Sequence, residues 1–231
     1  MAEWVLVSMN ANASELMENV NRFLAIGVSI LLFLGLSILY FLPNKLEPLL
    51  YWVLSLVVLF YYLAQWQTHN FQSGYLLEVA LQALIIPTFL VFKKTHNRLL
   101  SMLMLISAIT FLGHGLYAMN FYPRPGYFVD MMSKAFGMSQ LIAEQSLFVI
   151  GIVDILCLLF IFLRPTQKSI LIYMIFWGFF TALARPIFNF STVFLEESLI
   201  IWVPEFLKRG THFLVPLALL VEYKKLPKLM S

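Results

Sequence analysis

Charged residues are scarce in this chain. Aspartate, glutamate, lysine and arginine make up 12% of its 231 residues, whereas about 25% is typical of soluble domains. Hydrophobic residues account for 61% of the chain and are spread over its whole length. This balance excludes an ordinary soluble domain and indicates an all-α integral membrane protein embedded in a lipid bilayer. The net charge of +3 is small, so we expect no nucleic-acid partner.

Cysteine is nearly absent as well. Cys157 is the single cysteine of the sequence, which excludes an internal disulfide, a CxxC redox pair and a zinc site built from several thiolates. The sequence also lacks a P-loop, a nucleophile elbow, an HExxH motif and a GxGxxG motif. We therefore predict no metal site. No motif assigns a reaction, so whether the protein is an enzyme stays open at this point.

Long apolar segments, by contrast, are abundant. A helix needs about 20 apolar residues to cross the hydrocarbon core of a bilayer, and seven segments qualify as spans 1 to 7. They cover about residues 22–42, 48–66, 75–92, 99–120, 142–163, 169–190 and 203–223. A polar segment, 1–21, precedes them, a basic tail, 224–231, follows them, and the connection at about 121–141 is long enough for a short interfacial helix.

The lysines and arginines between the spans predict the orientation. With seven spans, one side of the membrane carries only Arg22, Arg124 and Lys134. The other side carries nine cations: Lys45, Lys93, Lys94, Arg98, Arg164, Lys168, Lys224, Lys225 and Lys228. Because cytoplasmic connections are enriched in lysine and arginine, the N-terminus is predicted outside and the C-terminus in the cytoplasm. The expected location is the inner (plasma) membrane, crossed several times.

Polar residues within the spans gather in the outer half of the predicted bundle. Charged side chains inside a membrane are costly and often functional. Seven of them on spans 3 to 7 lie at similar predicted depths: Glu78, His114, Asp154, Arg185, Glu205, Arg209 and His212. We predict that they line a polar, water-accessible cavity that opens to the outer face. The alternative is that each lies at the end of its own helix, near the lipid head groups.

Span 7 contains the densest group of these residues, in "VPEFLKRGTHFLVP". Proline is favoured at the first position of a helix and acids in the first turn, so Pro204 and Glu205 predict the outer start of this span. Glu205, Arg209 and His212 then follow at i, i+4 and i+7, on one stripe. On span 6, Arg185 precedes a proline, and we expect it to point inward and pair with a carboxylate.

The last four spans resemble a known family. "SLFVIGIVDILCLLFIFLRP", "YMIFWGFFTALARP", "EFLKRGTHFLVPLALL" and "GHGLYA" are similar to segments of the DoxX-like membrane proteins. The family pattern of a glycine and an acid before an apolar run matches Gly151 and Asp154, and its glycine–histidine pair matches Gly113 and His114. The resemblance implies a DoxX-like four-helix bundle over residues 99–223, with three additional N-terminal spans within 22–98.

The resemblance implies association with quinone-linked oxidation or with membrane complexes, but no defined activity for this chain. The first hypothesis is therefore an accessory or binding subunit whose cavity takes a lipid-like molecule, such as a quinone, or a partner membrane protein. An alternative is an interfacial enzyme with His114 and Asp154 as acid–base groups and Arg185 or Arg209 as an anion clamp. A third is a proton-coupled transporter, against which the sequence offers no internal repeat and no pair of interrupted helices. Haem is not expected, because only two histidines lie within the spans, at depths that differ by roughly 3–9 Å.

Overall fold

The protein is helical throughout the part that the structure describes. This structure, a computed structural model, describes residues 47–226 together with Leu24 and Gly27. Within that range there are nine α-helices and a final 3₁₀ turn, and no strand. The helices are α1 (Glu47–Thr68), α2 (Ser73–Glu78), α3 (Ala80–Phe92), α4 (His96–Ala118), α5 (Gly126–Phe136), α6 (Gln140–Phe160), α7 (Arg164–Asn189), α8 (Leu195–Lys208) and α9 (Thr211–Val221).

Four helices are long and apolar enough to cross a membrane: α1, α4, α6 and α7. They coincide with predicted spans 2, 4, 5 and 6, because an uninterrupted apolar run of this length has few other stable conformations in lipid. Span 1 apart from Leu24 and Gly27, the polar segment 1–21 and the last five residues of the basic tail lie outside the described residues. The chain divides after Thr68 into two compact units, and the second contains α2 to α9.

Predicted span 3 is not one continuous helix. It is divided into α2 and α3 at Val79, directly after Glu78. Two residues further on, the N–H of Leu81 donates to the hydroxyl of Thr110 on α4 at 2.9 Å. The backbone is therefore satisfied by another helix at this point, which is how interrupted helices are tolerated inside membranes.

Predicted span 7 begins earlier than expected and is also interrupted. Its first helix, α8, starts at Leu195 with Glu196 and Glu197 in the first turn, so the prediction that Pro204 is the first helical residue is wrong. Acids in the first turn are stabilised by the helix dipole, and Pro204 is accommodated inside α8. The helix ends at Lys208 and resumes at Thr211.

Tight i→i−3 hydrogen bonds form the turn between α8 and α9. The N–H of Gly210 donates to the carbonyl of Leu207 at 3.0 Å, and the N–H of His212 donates to the carbonyl of Arg209 at 2.9 Å. Such 3₁₀ geometry inside an otherwise helical segment often marks a functional position. Both interruptions thus lie beside residues that the sequence had singled out, Glu78 and Arg209.

Helices α4 and α6 cross at a pair of glycines. A Cβ at Gly115 would lie 2.7 Å from the carbonyl oxygen of Gly151, and a Cβ at Gly151 would lie 2.7 Å from that of Gly115. Small residues on both sides allow this close approach, which is typical of helix pairs in membranes. A core of large apolar side chains, with Phe111, Met104 and Leu171 fully buried in it, continues from α4 across α6, α7 and α9. Cys157 is buried in the same core.

Helix α5 lies where the sequence predicted a short helix in the connection 121–141. One face buries Met132 against α6, while Asp130, Lys134 and Phe136 are exposed on the others. Gly137 ends the helix with φ of 63°, a conformation for which glycine carries no steric cost. The Lys134 ammonium also donates to the carbonyl of Phe188 on α7 at 3.2 Å, which ties this helix to the bundle.

Candidate functional site

Five of the seven predicted site residues line one pocket. They come from α4, α6, α7, the turn after α8 and the first turn of α9: His114, Asp154, Arg185, Arg209 and His212. The pocket has about 70 Å³ of room for the centres of water-sized molecules, enough for several waters or a small head group. Its remaining wall is mostly apolar and includes Phe128, Met131, Met132, Leu147, Ile150 and Phe180.

The other two predicted residues, Glu78 and Glu205, are joined to the pocket through Arg209. The Arg209 Nη2 donates to Glu78 Oε1 at 3.0 Å, and only 13% and 12% of the two side chains are exposed. This ion pair connects the interruption of span 3 to the interruption of span 7. A charge-assisted contact between largely buried groups depends on geometry, and the two breaks bring both side chains within reach of one another.

Glu205 sits on the other side of Arg209. Its Oε2 lies 3.9 Å from Arg209 Nε, the predicted i,i+4 contact, and its Oε1 accepts a short hydrogen bond from Lys208. Around the turn, two carboxylates therefore face two cations. Opposite charges in equal number let this group remain buried without a net charge.

The two intramembrane histidines face each other across the pocket. Their ring centroids are 5.1 Å apart, and His114 Nδ1 lies 3.6 Å from Glu78 Oε1. His212 is 3% exposed, and its Nδ1 lies 3.2 Å from the carbonyl oxygen of Arg209. A carbonyl can only accept, so in the neutral imidazole Nδ1 carries the hydrogen and Nε2 carries the lone pair. That Nε2 is buried and has no hydrogen-bond partner among the described residues.

Close backbone contacts fix the position of His212. A Cβ at Gly178 of α7 would lie 2.8 Å from the His212 carbonyl oxygen, so only glycine allows α7 to approach this closely. Four residues after His212, Pro216 has no N–H to donate to that carbonyl. Gly178 and Pro216 together explain why the chain is held at a defined distance from α7 here.

Asp154 is the most deeply buried of the acids, with 1% of its surface exposed. It accepts a hydrogen bond from the Tyr173 hydroxyl at 2.6 Å. Tyr173 was not predicted from the sequence. Twelve residues separate it from Arg185, which turns an α-helix by about 120°, so the spacing along α7 gave no signal for it.

Replacing Tyr173 by phenylalanine is expected to lower the free energy of unfolding by about 1–3 kcal/mol, since the buried Asp154 carboxyl group would lose one of its hydrogen-bond donors. The measurement is thermal unfolding of the full chain in a mild detergent. Tyr122→Phe is the matched control, because no hydrogen bond of its hydroxyl is found in the described part of the chain. Equal stability of the two variants would contradict the assigned bond.

Arg185 points inward, as predicted, but it is not paired with a carboxylate. Its Nη2 donates to the Tyr127 hydroxyl at 3.3 Å, and its guanidinium lies 4.8 Å from the centre of the Tyr127 ring. The expected carboxylate partner is wrong: within residues 47–226 no acid forms an ion pair with Arg185. An aromatic side chain from α5, which packs against this part of α7, stabilises the cation instead.

Comparison with known proteins adds no relative: no protein-family model matches the chain, and neither a curated protein nor a solved structure matches it. The resemblance to DoxX-like proteins therefore stays a prediction. The site is described by its geometry alone, as a small pocket with an apolar wall and convergent polar groups. Such a pocket is the usual form of a binding site for a small molecule.

Proposed function

We propose that this protein is a multi-pass membrane protein that binds a lipid-like molecule, such as a quinone, in the pocket described above. One observation carries the proposal. Polar groups that reside on four separate helical segments converge on a single, otherwise apolar pocket. In a membrane, each of these groups is costly unless it is paired or functional. A molecule with a polar head and an apolar body matches both parts of the wall.

We further propose seven spans, with the N-terminus outside. Support comes from treating α2 with α3, and α8 with α9, as single interrupted spans, and from the distribution of lysine and arginine. On this orientation the pocket opens toward the outer face. A DoxX-like bundle over residues 99–223 is also proposed, and its motif residues lie close together, because Gly115 and Gly151 cross where His114 and Asp154 are positioned.

Filling the pocket tests the proposed function. The full chain is purified in a mild detergent and its bound lipophiles are extracted and identified by mass spectrometry. We expect one lipophile to co-purify in near-stoichiometric amount, and Ala135→Phe to reduce it at least about tenfold, since Ala135 lines the pocket.

Ala218→Phe provides the control, because Ala218 is exposed on α9 and does not line the pocket. Both variants add the same side chain, so a difference between them reports on the pocket rather than on added hydrophobicity. Equal lipophile content in the two variants, with equal melting temperatures, would overturn the proposal.

A second function, proton-coupled transport, gains support from one specific observation. Two spans are interrupted, and their breaks meet at the Glu78–Arg209 ion pair, whereas continuous helices had argued against transport. Interrupted helices surround the substrate sites of many transporters. Reconstitution in liposomes that enclose a pH-sensitive dye distinguishes transport from binding. A proton flux that the parent protein shows and the Asp154→Asn variant lacks favours transport. No proton flux in the parent protein favours binding alone.

A further inference from the structure

One cation of the pocket forms no ion pair within the described residues. Arg209 is paired with Glu78, and Lys208 with Glu205. Arg185 is left as a guanidinium that is 6% exposed and has no ion pair with an acid in the described residues. Asp154 lines the same pocket, but its contact is with the Tyr173 hydroxyl. A buried charge without a partner is strongly unfavourable, so this pocket is suited to an anion that enters it.

The hydrogen-bonding groups indicate the shape of that anion. A guanidinium presents five N–H donors in a planar fork that matches a carboxylate, and the one side-chain bond found for Arg185 goes to Tyr127. A second donor, Arg209 Nε, and one acceptor, His212 Nε2, belong to residues lining the pocket and are buried without hydrogen-bond partners in the range 47–226. The guanidinium groups of Arg185 and Arg209 thus offer donors to a ligand in this pocket.

The apolar wall indicates what the anion is attached to. This part of the lining comes from α5 and α6 and includes Phe128, Met131, Met132, Leu147 and Ile150. Methionine side chains are flexible and adapt to irregular apolar ligands. The pocket as a whole has about 70 Å³ of room for the centres of water-sized molecules. A ligand with a compact head group and one chain therefore suits it better than a ligand with two chains.

We propose that the pocket selects a single-chain lipophilic carboxylate of the fatty-acid type, with the Arg185 guanidinium holding the carboxylate and the chain lying along the apolar lining that α5 and α6 provide. This inference rests on the proposed function and narrows it from lipid-like molecules in general to acidic ones. Tyr127 of α5 contacts the Arg185 guanidinium with both its hydroxyl and its ring, and so positions Arg185 toward the head group.

The test compares four probes that share one oleoyl-length chain, on the delipidated full-length protein in detergent. They are oleate, methyl oleate, oleyl alcohol and oleoyl lysophosphatidate, and binding is measured by native mass spectrometry and by the rise in melting temperature. We expect oleate to bind at least about tenfold more tightly than the two neutral probes, as loss of a charge-assisted contact implies. This comparison needs no variant, so it stands even where a substitution prevents folding.

Variants then locate the contact. Arg185→Gln is expected to reduce oleate affinity at least about tenfold while leaving methyl oleate unchanged. Lys168→Gln removes one charge from the exposed far end of the same helix, and it should leave the affinities for oleate and methyl oleate unchanged. Equal binding of oleate and methyl oleate, or tighter binding of the lysophosphatidate, would overturn the carboxylate assignment while leaving the proposed function intact. Failure of all four probes to bind the delipidated protein would overturn the inference, and only the Ala135→Phe result bears on the function itself.

Discussion

Replacing Arg209 by methionine is expected to lower the free energy of unfolding by about 3–5 kcal/mol. The substitution leaves Glu78, whose side chain is only 12% exposed, without its cation. An uncompensated buried carboxylate is far more unfavourable than the loss of the ion pair itself. Thermal and denaturant unfolding of the full chain in detergent measures the effect.

The double variant Glu78→Met/Arg209→Met identifies the cause. Removing both charges leaves no buried ion, so the double variant should be more stable than Arg209→Met alone, although it carries one more substitution. Lys224→Met, which removes an exposed cation, should change stability by no more than about 0.5 kcal/mol. If the changes in the free energy of unfolding caused by Glu78→Met and by Arg209→Met simply add in the double variant, the two residues are not energetically coupled.

The second large effect is expected at Gly113. A Cβ at this position would lie 2.4 Å from the backbone nitrogen of Glu78 and 2.7 Å from the carbonyl carbon of Leu77. Neither atom belongs to a flexible side chain, so Gly113→Ala must displace α4 from the end of α2. We expect a loss of about 1–3 kcal/mol, typical of overpacking, together with weaker binding of the co-purified lipophile, because Glu78 and His114 would shift.

Gly126→Ala is the matched control for this prediction. A Cβ at Gly126, the first residue of α5, meets nothing within 4 Å, and alanine is a better helix former than glycine. That variant should be as stable as the parent or slightly more stable. A melting temperature of Gly113→Ala equal to that of Gly126→Ala would show that α4 and α2 do not approach as closely as described.

Much of the site could be predicted from the sequence because lipid leaves few choices for a charged side chain. His114, Asp154 and Arg185 interrupt long apolar runs, and a polar group at that depth must turn toward the interior of the bundle. Their similar positions along antiparallel spans then predict that they meet. The apolar runs themselves predict helices of membrane length, and α1, α4, α6 and α7 confirm them.

What could not be predicted is decided by contacts between distant segments. The break at Val79 depends on Thr110, which accepts the N–H of Leu81 from another helix. The partner of Arg185 is a tyrosine on α5, and no periodicity connects the two. The wrong prediction that a helix starts at Pro204 has a local cause. Proline and a following acid are typical of a helix start, but Glu196 and Glu197 lie in the first turn of a helix that starts earlier, at Leu195.

The ion pair between the two interruptions also has a consequence for how the chain is made. Glu78 and Arg209 are separated by 131 residues, so a ribosome working at about 5–20 residues per second completes the second partner on the order of 10 s after the first. Throughout that interval the carboxylate of Glu78 has no Arg209 to pair with. Nascent chains that stop short of Arg209 should therefore be unstable and exposed to quality-control proteases, and the synthesis of α8 and α9 completes assembly.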